Sequence, residues 1–241
     1  MTDGEIRATI AAFGEATRRA VETGYDGVEI HGANTYLLQQ FFSPHSNRRT
    51  DEWGGSLENR MRFPLAVLDA VQAAAATSAG PFAVGYRLSP EETEEPGITM
   101  EDTLAFVDAL AGRRPDWLHI SLREYLKGSI RDKRDPGRPT KKIIDRLEGR
   151  IPVIGVGKIY SPDDAMFILN DGCSLVALGR IVLMEPEWIA KVQAMSSPDE
   201  KPRDPIHTSL PASGGDTLLT IPGPMYRRLL AVKGWLPIND E

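Results

Sequence analysis

Polar and charged residues gather in this sequence directly behind short apolar segments. The densest stretch, EIHGANTYLLQQFFSPHSNRRTDEWGGSLENR (residues 29–60), follows the segment YDGVEIH and carries His31, Asn34, Tyr36, several arginines and a Gly–Gly pair. Later segments end in the same manner, with Arg87 in YRLS, Ser121 in HISL, Gly157 and Lys158 in GVGKI, and Gly179 with Arg180 in LGR. Glycine backbone at a strand exit lets a phosphate approach closely, and an arginine beside it adds a charge-assisted hydrogen bond. Gly157 and the Gly179–Arg180 pair are therefore candidate phosphate contacts; the alternative is a tight turn. On the residues alone, His31 and Asn34 read first as structural hydrogen-bonders at a strand end and Tyr36 as a half-buried packing residue, while Arg87 can pair with Glu91 or Glu92. A phosphate-binding barrel aldolase or isomerase would need a Schiff-base lysine at a strand end, which is lacking here unless Lys158 serves.

The elements that position these residues alternate. Thr2 and Glu5 have capping-box spacing, and Ile6, Ile10, Phe13, Ala16, Ala20 and Val21 follow at helical intervals up to Gly24. YDGVEIH (25–31) reads as a strand, and Ser56 caps the helix LENRMRFPLAVLDAVQAAAA, with Pro64 inside it. FAVGYRLS (82–89), DWLHISL (116–122), IPVIGVG (151–157) and SLVALGR (174–180) are further strands. Helices opened by Thr99 and Asp102, by TKKIIDRLEG and by Ser161–Pro162 lie between them. Strands alternating with helices predict βα units on a parallel sheet, and the last two strands are apolar enough to be buried on both faces. A (β/α)8 barrel has this order and places its chemistry where strands give way to loops. From about Ala194 the sequence turns Pro-rich and polar around one short helix, PMYRRLLAV.

Composition narrows the classes. Of 241 residues, 41% are hydrophobic and 26% charged, enough for a globular core, and the net charge of −6 disfavours nucleic acid or an anionic membrane as a partner. The single cysteine, Cys173, excludes an internal disulfide framework and a cysteine-held iron–sulfur cluster. The start MTDGEIRATI lacks a basic then apolar leader, and no apolar run approaches the roughly 18 residues of a membrane span, so the expectation is a cytoplasmic protein.

The run DGVEIHGANTYLLQQFFSPHSNRRTDEWGGSLENRMRF resembles the signature of the Old Yellow Enzyme family of flavin-dependent ene-reductases. YRLS, IPVIGVGKI, and LVALGR followed by EPEW extend the likeness downstream in the family's order. The resemblance implies a (β/α)8 TIM barrel binding FMN, with NADH or NADPH as reductant and an activated alkene such as an enone as the small-molecule substrate. It implies that His31 and Asn34 hydrogen-bond the substrate oxygen, and that Tyr36 donates the proton. It places Arg87 beside the flavin, together with His31, and puts Gly157, Lys158, Gly179 and Arg180 around the FMN phosphate. No metal site is implied. Larger relatives with an iron–sulfur centre and a dinucleotide domain are excluded by the lone cysteine and the lack of G-x-G-x-x-G. The sequence departs from the pattern in two ways. Thr35 stands where the family usually has Gly, which is strained if φ is positive. Only about five of eight strands are present, so residues 1–193 read as the C-terminal part of an N-terminally truncated barrel and 194–241 as a tail packed on it. The alternative reading is thus a non-catalytic remnant that needs the missing N-terminal half-barrel, a homo-oligomer or another partner.

Overall fold

The computed structural model describes residues 1–196, 205–214, 219 and 221–239; part of the expected tail lies outside these. Five parallel strands form one sheet in the order β1 (Gly27–Gly32), β2 (Ala83–Leu88), β3 (Trp117–Ile120), β4 (Val153–Val156) and β5 (Leu175–Ala177). Spatial order equals chain order because each strand is followed by a helix that returns the chain to the same end. Helix α1 (Asp3–Glu22) precedes β1, and the connecting helices are α2 (Leu37–Phe42), α3 (Leu57–Ala75), α4 (Met100–Arg113), α5 (Pro139–Leu147) and α6 (Pro162–Asn170). Beyond β5 come α7 (Ile181–Met184) and α8 (Trp188–Ser196), which runs through residue 193. A short parallel pair, β6 (Leu210–Pro211) with β7 (Ile238–Asn239), brackets α9 (Gly223–Ala231).

Local chemistry starts the helices where the sequence places them. Thr2 with Glu5, Thr99 with Asp102 and Ser161 with Asp164 form reciprocal capping boxes, satisfying backbone donors that a helix start leaves free. Ser56 accepts from the Asn59 amide at the start of α3. Alternate strand residues Ile30, Val84, Tyr86, Leu88, Leu118, Ile120 and Val153 are buried in the core beneath the helical layer.

The other sheet face carries Glu29, His31, Arg87, Trp117 and His119, since Glu29 lies level with Gly85 and Trp117, and His31 with Arg87 and His119. This corrects one expectation. The last two strands are not buried on both faces: Ile154 and Val156 are half-buried and Leu175 is 56% exposed. Helices cover one face only, and β1 and β5 each pair with a single strand among the described residues.

Candidate active site

The polar strand exits meet at one end of the sheet. After β1 the chain turns through Ala33, Asn34 (φ 58°) and Thr35 (φ 62°), both left-handed, before Tyr36 opens α2. Thr35 thus has the positive φ at which a β-branched residue is strained. Gly32 is required where this turn begins, because a β-carbon there would stand 2.3 Å from the Tyr86 hydroxyl oxygen. The turn is tied from outside: the Asn34 amide donates to Ser89 Oγ (3.0 Å) and the Thr35 amide to Gln39 Oε1 (2.9 Å). The His31 and Tyr36 rings lie 5.2 Å apart, centroid to centroid, tilted by 54°.

Arg87 reaches along the same end of the sheet. Its Nη2 donates to Ser121 Oγ at 3.0 Å, and Ser121 Oγ donates to Asn34 Oδ1 at 3.0 Å. Arg87 Nε is buried with no partner among the described residues. Glu91 and Glu92 are engaged elsewhere, Glu91 by Ser129 and the Ile130 amide, and Glu92 by Gln39, Ser43 and the Ile98 amide. One layer deeper, the Glu29 carboxylate takes Trp117 Nε1 (2.8 Å) and His119 Nδ1 (3.0 Å). His119 is bonded on that nitrogen only; its Nε2 is buried and has no partner among the described residues. Burial raises the Glu29 pKa, but the bonds from His119 and Trp117 outweigh it and hold the carboxyl below its ordinary value. Burial, and then the charge of Arg87, keeps His31 below the usual imidazole range, so the ring is neutral at pH 7.

A cavity of about 560 Å³ joins Asn34, Arg87, Ser121, Arg123, Arg180 and Trp235. Gly179 has open space where a side chain would stand. Arg180 donates to the backbone oxygens of Arg123 (2.7 Å) and Trp235 (3.4 Å). Gly157 adopts φ 126° and comes so close to the Tyr125 amide that a β-carbon would stand 2.8 Å from it. Lys158 does not join the cavity; it pairs with Glu124 at 2.8 Å in a neighbouring hollow lined by Arg123, Lys127 and Gly234. Asn34, Arg87 and Arg180 are thus brought to one space, with His31 beside Arg87 on the sheet and Tyr36 against His31. Sequence reasoning missed Glu29, although its place two residues before His31 puts it on the same strand face. It also missed Arg123 and the tail residue Trp235, whose positions no local pattern announces.

The long signature after His31 is mainly scaffold. Asn47 Nδ2 binds the carbonyls of Phe41 (2.6 Å) and Trp53 (2.8 Å), and buried Arg60 donates to the Phe42 carbonyl (2.6 Å). Trp53 is buried and its indole N–H reaches Asp3 (2.9 Å). Together these contacts fasten α2 and the following rim loop to α1 and α3.

A parallel β/α sheet with its polar groups gathered at the strand exits is the arrangement of a barrel enzyme. The profile of the NADH:flavin oxidoreductase / NADH oxidase family matches residues 1–198, and the chain belongs to that family, the one that includes Old Yellow Enzyme. It is 45% identical over its whole length to the probable NADH-dependent flavin oxidoreductase YqiG of Bacillus subtilis (strain 168), of which it covers 63%. It is 47% identical to the NADH:fumarate oxidoreductase of Klebsiella pneumoniae (strain 342), over 79% of this chain and 21% of that protein. Among solved structures, morphinone reductase superposes with a TM-score of 0.65 at 29% identity, over 85% of this chain and 53% of that one. The old yellow enzyme homologue from Zymomonas mobilis shares the fold, with a TM-score of 0.66 at 23% identity, over 82% of this chain and 54% of that one.

Proposed function

We propose that this chain works as an FMN-dependent NAD(P)H oxidoreductase that reduces alkenes activated by a carbonyl or nitro group. The observation that carries the reading is the junction of His31, Asn34 and Arg87 at adjacent strand exits, with Arg87 Nε buried and unpartnered. The residues fit the cofactor. An arginine with a spare buried N–H suits an electron-rich flavin edge, and Arg180 beside the open Gly179 backbone suits a phosphate. Gly157 offers further backbone, while Lys158, paired with Glu124, would have to leave that partner to reach a phosphate. Bound there, FMN would supply hydride to the alkene β-carbon after its own reduction by NADH or NADPH.

The chain's own residues carry the rest. Neutral His31 has one N–H to give, and Asn34 has an amide NH2. Two donors aimed at one oxygen stabilise the negative charge that gathers there as the β-carbon is reduced, and do so without reorganisation. Tyr36, 62% exposed beside His31, is the acid for the α-carbon. The test is the visible spectrum of the purified chain after incubation with FMN and desalting, followed by cyclohexenone turnover with each nicotinamide. A retained flavin band is expected, with a loss of about 10²-fold in turnover for His31→Ala, the scale of one lost oxyanion donor. Unchanged turnover in that variant overturns the site.

A second reading has its own observation: β1 and β5 are each paired on one side only, and Leu175 on β5 is exposed. On that reading the chain is a non-catalytic portion of a barrel that needs a partner surface. A folded, colourless product of the same desalting experiment favours it.

A further inference from the structure

We propose that Ser121 is a positioning residue that fixes which way the Asn34 amide faces; this rests on the reading of Asn34 as a substrate-oxygen donor. Asn34 sits on an exposed left-handed turn, where nothing in its own segment holds the carboxamide. An asparagine amide has an acceptor and a donor end of nearly equal shape. If it turns by half a revolution, an oxygen meets the substrate oxygen and the contact becomes repulsive.

The hydrogen-bond chain removes the ambiguity. A guanidinium has only donors, so Arg87 must give its proton to Ser121, across 3.0 Å. The serine hydroxyl is then an acceptor toward Arg87 and keeps its single proton for another partner. Asn34 is that partner, also at 3.0 Å, and only its oxygen can take the proton. Were the amide reversed, Ser121 would receive two donors and its own proton would lose the one protein acceptor it has among the described residues. Oδ1 therefore faces Ser121, and Nδ2, which has no protein partner among the described residues, is left for the ligand. Ser121 stands one residue past β3, and Arg87 near the end of β2, so two strands set the orientation of a side chain on the turn that follows β1.

Two readouts test this on the full 241-residue chain. The first needs no cofactor: the {1H}-15N NOE of the Asn34 side-chain NH2, assigned by its loss in Asn34→Asp. We expect an ordered amide in the native chain and in Ser121→Thr, which keeps the hydroxyl. We expect a mobile one in Ser121→Ala, with Ser121→Cys, a weaker donor of similar size, between them. The second is turnover by the FMN-loaded chain, where Ser121→Ala should lower kcat/KM for an enone about tenfold and Ser121→Thr should restore it. An amide that stays ordered in Ser121→Ala, with kcat/KM unchanged while Asn34→Ala is impaired, overturns the role of Ser121 and leaves the functional reading standing. If Asn34→Ala and His31→Ala both turn over normally, the functional reading fails, and the NOE series alone decides whether Ser121 holds the amide.

Discussion

Two features of its surroundings favour the neutral form of His31. Burial disfavours the charged ring, and the Arg87 guanidinium across the β1–β2 register repels a second positive charge; Glu29 opposes them with less effect. The folded-state pKa thus lies below the unfolded value of about 6.5. Between those two values the unfolded chain binds the proton and the folded chain does not. Stability on account of His31 is therefore full above about pH 6.5 and declines as pH falls toward the folded value. An NMR titration of the His31 Cε1 proton should give a midpoint below the ordinary range. Arg87→Gln should raise that midpoint without fully normalising it, because the burial contribution remains. A native midpoint at or above the ordinary value, or one unmoved by Arg87→Gln, would show that the guanidinium is not acting on this ring.

The turn from β1 into α2 is where element geometry and residue choice disagree. Thr35 holds φ 62°, a conformation that costs an L-residue about 1–2 kcal/mol, and branching at its β-carbon adds to the conflict. Thr35→Gly should remove that strain, offset in part by the greater freedom of glycine in the unfolded chain, for a net gain of roughly 0.5–1 kcal/mol. Urea unfolding of the two chains checks it; a lower midpoint for Thr35→Gly would mean that the Thr35 hydroxyl, bonded to the Asn34 carbonyl at 2.7 Å, outweighs the strain. This strain was legible in the sequence as a threonine in a glycine's usual place. So were the capping boxes at Thr2, Thr99 and Ser161 and the alternation of strands and helices, since all depend on neighbours within a few residues. Helix α2 was not legible. Its N-cap, Tyr36, makes no side-chain capping bond, and the helix is held by Glu92, in the loop after β2, which takes bonds from Gln39 and Ser43. The site divides in the same way. Strand exits announced His31, Arg87 and Arg180, whereas the bond from Ser121 to Asn34 joins residues 87 positions apart that only the β1–β2–β3 packing brings together.

At the scale of the whole molecule, the sheet has one face served by helices and one that is not. The chemistry of the second face changes along it. Near β1 to β3 it is polar and partly bonded, through Glu29, Trp117, His119 and Arg87; near β4 and β5 it is apolar, through Ile154, Val156 and the exposed Leu175. A ligand held by Asn34, Arg87 and Arg180 would sit at the strand exits and could leave that apolar end in water. Parallel strands with an unpaired edge and an apolar face invite association. The 241-residue chain should therefore sediment as a concentration-dependent mixture of monomer and larger species. Leu175→Glu, on the uncovered face, should shift that mixture toward monomer. Met166→Glu, on helix α6 and similarly exposed at 51%, should leave it unchanged. Equal effects of the two substitutions would point to general surface stickiness. A native chain that is monomeric throughout the micromolar range and keeps its flavin would show that the open face needs no protein cover. The catalytic reading would then stand for this chain without a partner.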